Sequence, residues 1–203
     1  METVRVIRDP ETIKILSDLV RRQILRLLSY EQLTQSQIAK KIALSEPSVS
    51  HHLGLLLRHG LVEMVSTEVS PHGILQKYYA PTAKLFIEDW DSTPSEQRRY
   101  YVHSHLERLR GILSVLELLT EGQEMPLVSS DVEALAESTA RRVSAIAERF
   151  GCEDPSTDRE ALLIKIYAET LREELEEGRW ESLTRELRVA LDKLRKLEPA
   201  KEQ

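Results

Sequence analysis

Residues 45–62 read SEPSVSHHLGLLLRHGLV, and the reactive side chains in that stretch are two adjacent imidazoles, His51 and His52, set among serines. Paired imidazoles serve three kinds of chemistry: metal ligation, acid–base transfer and hydrogen bonding to a polyanion. Spacing separates them. Adjacent side chains on a helix diverge by about 100°, so His51 and His52 are a poor chelate. His103 and His105 are also badly spaced, because helical ligand pairs normally stand at i, i+4. A metal shared between two chains, for example through His103 and Glu107, is the alternative left open. Cys152 is the single cysteine, which excludes an intramolecular disulfide and a multi-thiolate metal cluster within one chain. GxGxxG, P-loop and GxSxG patterns are all missing, so neither an enzyme nor a cofactor is expected.

The elements that must position the histidines are short units with helical periodicity. Asp9-Pro10 is a plausible start for a helix over 11–17, and Asp18 caps a second one with Leu19, Ile24, Leu27 and Leu28 on its inner face. Thr34 and Gln37 form a capping-box pattern ahead of Ile38, Ala39 and Ile42. A turn at Ala43-Leu44 leads to Ser45, a second N-cap, with Pro47 tolerated in the first turn. Val49, Leu53 and Leu56 then recur at i, i+4, i+7, and Gly60 ends the helix in the left-handed conformation. Beyond Gly60 the period changes to two. LVEMVSTEV and ILQKYYA read as strands joined by the turn cluster at Ser70 to Gly73. A helix-turn-helix followed by a hairpin is the winged-helix layout.

The second half is organised differently. After a break at 91–95, Val102, Leu106, Leu109, Leu113 and Leu116 repeat with spacings of 4, 3, 4 and 3, a coiled-coil-like seam. Further stripes run through Val132, Leu135, Thr139, Val143 and Ile146, through Leu162, Leu163, Ile166, Tyr167 and Leu171, and through Trp180, Leu183, Leu187, Ala190, Leu194 and Leu197. The expected fold class is mainly α with a small β-hairpin: a winged helix-turn-helix over residues 1–90, then a helical dimerisation and possible effector domain over 91–203. Charge divides in the same place. The net charge is −6, yet residues 1–90 hold 11 Lys/Arg against 10 Asp/Glu (+1), and residues 91–203 hold 17 against 24 (−7). The first half is therefore free to present a basic face. An apolar content of 41% suits a globular chain. No apolar run approaches the roughly 20 residues of a membrane span, and METVRVIRDP lacks a signal-peptide core. No membrane association and a cytoplasmic location are expected.

Three segments in order, LSDLVRRQILRLL (16–28), QSQIAKKIALSEPSVSHHLGLLLRHGLV (35–62) and KYYAPT (77–82), resemble the ArsR-type winged-helix transcription regulators. The resemblance covers about the first ninety residues and is strongest to archaeal members with long helical C-terminal extensions. It implies a recognition helix over the histidine stretch, double-stranded DNA as partner, and a homodimer. Two departures stand out. Leu19-Val20 occupies the place of a usual Pro-Thr, and Leu33 to Ile38 carries no thiol, so metalloid or metal sensing does not transfer.

On such a helix Ser48, His51, His52 and Leu55 lie on or near the face opposite the core stripe. Ser48 and His51 are the expected base or backbone contacts, and Ser50 the expected phosphate or local contact. His52 divides evenly between DNA contact and packing. Supporting phosphate contacts are expected from Arg21 or Arg22, from Thr34, Gln35 and Gln37, and in the wing from Lys77 and Tyr78. Trp90, Trp180, Tyr100, Tyr101 and Tyr167 either line a pocket for a small-molecule effector or pack between helices. Repression as a homodimer on a pseudo-palindromic site is the favoured reading. The alternatives are a winged helix used for protein–protein contact and a metal- or ligand-responsive sensor.

Overall fold

The computed structural model describes residues 2–69, 73, 75–119, 129–152 and 157–176. The chain runs β1 (Glu2–Ile7), α1 (Pro10–Leu16), α2 (Leu19–Leu28), β2 (Leu33–Thr34), α3 (Gln35–Ile42), α4 (Glu46–Arg58), β3 (Val62–Val69), β4 (Leu75–Pro81), β5 (Ala83–Glu88), α5 (Ser95–Leu119), α6 (Ser129–Glu148) and α7 (Arg159–Glu176). The Trp180 to Leu197 stripe, the turn residues 70–72 and the Met125-Pro126 break lie outside the described residues.

The caps read from sequence are in place. The Asp9, Asp18, Thr34 and Ser45 side chains each accept a backbone N–H in the first turn of α1, α2, α3 and α4. Gly60 follows α4 with φ +63°, a conformation glycine adopts without a Cβ clash. The wing is the antiparallel pair β3–β4, and β2 adds to its inner edge in the order β2-β4-β3. The winged-helix core gathers Ile24, Leu25 and Leu28 of α2, Ile38 of α3, Val49, Leu53 and Leu56 of α4, Leu61 just before β3, and Tyr79 of β4. Full burial of such side chains stabilises the fold by about 1.5–3 kcal/mol each.

The parallel ribbon β1–β5 goes beyond the elements that the sequence pattern predicts. Val4 pairs with Leu85 and Val6 with Ile87. Side chains alternate across a strand, and here both faces are covered. Val4, Leu85 and Ile87 join Trp90, Tyr101, Val143, Ile146, Leu162 and Ile166 in a second core. Ile7 and Phe86 pack into the winged-helix core instead. The ribbon thus belongs to both halves, and the packing does not divide at residue 90.

The helical half packs as the stripes require. Val132, Leu135, Thr139, Val143 and Ile146 of α6 are all buried, as are Leu162, Ile166 and Tyr167 of α7. The seam of α5 has a partner in the same chain: Leu106 and Leu109 meet Val132, Leu135 and Ala136 of α6. Its described part is therefore an intrachain contact.

Candidate nucleic-acid interface

Helix α4 is held from one side. Val49, Leu53 and Leu56 are 0%, 2% and 0% exposed, which fixes its rotation about its own axis. Ser45 caps its start by accepting the Ser48 N–H at 3.3 Å. At its end the Gly60 carbonyl accepts from Arg5 Nη1 at 3.0 Å and from Thr82 Oγ1 at 2.7 Å. The far end is thereby tied to Arg5 of β1 and to Thr82 between β4 and β5, and the outward face carries Glu46, Pro47, Ser50 and His51 near its start.

The expected residues separate on this frame. Ser50 and His51 are exposed, and Ser48 is half-buried beside them. His52 turns inward. Its side chain is 15% exposed and its Nδ1 lies 3.8 Å from Asp18 Oδ1, the carboxylate that caps α2. The two imidazole rings meet edge to face with centroids 5.7 Å apart. Among the described residues no group of three His, Cys, Asp or Glu side chains is placed to hold a metal ion.

The helix before it, α3, is set by the capping box. Thr34 N–H donates to Gln37 Oε1 at 2.8 Å, and Gln37 N–H donates to Thr34 Oγ1 at 3.3 Å. Thr34 is consequently 5% exposed, and its role is to start α3 rather than to meet phosphate. Gln37 remains exposed with its amide NH₂ outward of the box. Gln35 Nε2 donates to the Glu46 carbonyl at 3.1 Å, joining the starts of α3 and α4. Ser36, exposed between them, is a polar group at the same helix start that the sequence reading passed over.

Arg21 and Arg22 correct the expectation of phosphate contact. Their Nε atoms donate to the Ile15 and Leu16 carbonyls, and Arg22 also pairs with Glu88 on β5. The last turn of α1 has carbonyls with no partner inside the helix, and these guanidiniums satisfy them. Their charge is used inside the protein. In the wing, Lys77 is exposed while Tyr78 is half-buried and donates its hydroxyl to Glu68 Oε2 at 3.0 Å. A carboxylate beside Tyr78 disfavours a phosphate there. Lys40 is exposed at the end of α3, and Lys41 pairs with Glu31 at 2.8 Å.

The arrangement is a capped, rotationally fixed helix with hydroxyl and imidazole groups on its free face, preceded by a second helix whose start offers amides and a hydroxyl. Groups that both donate and accept suit base edges and phosphate oxygens. No helix among the described residues is long and apolar enough to cross a membrane. No curated protein matches the chain. A family model described as a helix-turn-helix domain matches residues 16–65, from the last residue of α1 through α4 and into β3. The chain therefore carries a helix-turn-helix domain, the unit of DNA-binding transcription regulators, and joins it to a small antiparallel sheet and a helical region.

Proposed function

We propose that this protein is a sequence-specific DNA-binding transcription regulator of the ArsR type, a repressor that reads a pseudo-palindromic operator as a homodimer in the cytoplasm. The observation that carries the reading is the outward face of α4: Ser50 and His51 exposed and Ser48 half-buried, on a helix whose opposite face is fully buried. Ser48 and His51 meet base edges, while Ser50, Gln35 and Gln37 meet the backbone and Lys77 reaches phosphate from the wing. His52 supports the helix from behind. Two such helices about 34 Å apart would enter successive major grooves.

Selection of bound duplexes from fragments of the source genome, with the mass in solution measured alongside, tests this. The expected result is an enriched motif with two-fold symmetry and a dimer mass. Binding that shows no sequence preference would sink the reading.

One observation favours a second use of the same fold. Met64, Val65, Val69 and Leu75 of the wing are each at least 40% exposed. Exposed apolar side chains on one hairpin suit protein contact. A Ser48→Ala/His51→Ala variant that stays folded and binds duplex as tightly as the wild type would favour the protein-contact reading.

A further inference from the structure

Between α2 of the helix-turn-helix and α5 and α7 of the helical half, across β5, lies a cavity of about 490 Å³. That is within the usual range for a small-molecule site. Its lining includes five cations, Arg22, Arg26, Lys84, Arg108 and Arg159, against two carboxylates, Glu88 and Glu160. In a chain of net charge −6 this is a local excess of positive charge.

Most of those cations have partners. Arg22 pairs with Glu88, Arg26 and Arg159 share Glu160 at 3.3 and 2.9 Å, and Lys84 Nζ donates to the Thr157 carbonyl at 2.6 Å. Arg108 differs. Its guanidinium stacks 5.3 Å from the Tyr167 ring centroid and donates to the Tyr167 hydroxyl at 2.5 Å. Among the described residues no carboxylate lies within ion-pair distance of it. A largely desolvated guanidinium without an anion is costly, and its flat fork matches a carboxylate or phosphate.

The neighbouring histidine adds a second unmatched donor. Arginine can only donate, so the Tyr167 oxygen accepts from Arg108, and the tyrosine proton goes to His105 Nδ1, 2.6 Å away. Burial first, then Arg108 and Arg22, lower the His105 pKa to about 3, so the ring is neutral. Its one proton then sits on Nε2, which is buried without a hydrogen-bond partner. His105 is 1% exposed and belongs to the cavity wall.

We propose that this cavity binds a small organic anion, a carboxylate or phosphate ester, with Arg108 as its anchor and Arg22 and Arg26 at its α2 side. The anion contacts α2 and α5 together, so its presence changes how the helix-turn-helix is held against the helical half. This regulatory consequence rests on the DNA-binding reading above; the binding itself does not.

The test uses the full-length purified protein and two readouts. Thermal unfolding is followed against inorganic phosphate, succinate, citrate, glucose 6-phosphate and adenosine monophosphate, each up to about 10 mM. The expected result is saturable stabilisation by at least one of them, with apparent affinity reduced tenfold or more in Arg108→Gln. Gln23→Trp, at the exposed rim, keeps every charge and should block entry. Stabilisation by none of the five would overturn the site. Equal shifts in the wild type, Arg108→Gln and Gln23→Trp would also overturn it, by placing the anion elsewhere. Anisotropy on a selected duplex, with and without the stabilising anion, then reads the regulation. A DNA affinity unchanged by the anion removes the coupling and leaves the site. No DNA binding in either condition removes the DNA reading and leaves the site equally intact.

Discussion

At the scale of single residues, two histidines carry opposite expectations. His51 is exposed on the outward face of α4. Its replacement by alanine should weaken duplex binding roughly tenfold, the effect of losing one base-edge contact of about 1–3 kcal/mol, without shifting the urea midpoint. Fluorescence anisotropy alongside urea unfolding checks both. His105 is buried, and its folded pKa of about 3 lies below the value of about 6.5 it has when unfolded. The unfolded chain therefore takes up the proton first as pH falls. The stability tied to the neutral ring is complete above pH 6.5 and is lost on acidification toward 3, at about 1.4 kcal/mol per pH unit. Urea midpoints at pH 7 and pH 5 should separate in the wild type by more than in His105→Gln. Equal separations would show that His105 does not carry the acid sensitivity. The two residues also show what a sequence reveals. The outward position of His51 follows from the Val49, Leu53, Leu56 stripe by counting alone. The bond from Tyr167 to His105 joins helices 62 positions apart, and no local pattern announces it.

At the scale of elements, local chemistry explains what was legible. The capping box of α3 needs only Thr34 and Gln37 at the right spacing, and both of its hydrogen bonds are present. Thr34→Ala should cost about 1 kcal/mol, up to about 2, measurable by chemical unfolding. The turn into α4 has a less comfortable solution. Ala43 sits at φ 55°, ψ 40°, the left-handed region that a Cβ makes unfavourable. Ala43→Gly should stabilise the protein by about 0.5–1 kcal/mol, since the relief of strain exceeds the added freedom of the unfolded chain. An unchanged or lower midpoint would mean the turn is not strained at that residue. The strands were legible only where they are neighbours. The hairpin β3–β4 follows from alternation and a turn cluster, whereas β1 and β5 are short, lack a turn between them, and pair in parallel across the whole winged-helix unit. The roles of Arg21 and Arg22 are hidden from the sequence for the same reason. Their positions on α2 are visible in sequence, but the α1 carbonyls and Glu88 that engage them are not.

At the scale of the molecule, the charge boundary near residue 90 and the packing boundary differ. Charge divides the chain into halves of +1 and −7, while Val4, Leu85 and Ile87 of the first half complete the core of the second. A fragment of residues 1–90 should leave that face of the ribbon in water. It is expected to bind an apolar dye and to unfold at a lower temperature than the full chain. A fragment as stable as the full protein, with no dye binding, would count against a shared core. The helix-turn-helix and the helical half are thus joined by more than a linker, and Ser144 Oγ donating to Asp89 Oδ1 at 3.0 Å adds a polar tie at the same junction.

The ribbon also has a consequence in time. Val4 leaves the ribosome about eighty residues before Leu85, its partner. At roughly 5–20 residues per second that is a wait of about 4–16 s. For that interval Glu2–Ile7 is a strand with no strand beside it, while the helices it will later enclose are already free to assemble. Closure of β1 on β5 therefore comes after α1 to α4 in synthesis, so substitutions in Glu2–Ile7 should appear as failures of closure rather than of those helices.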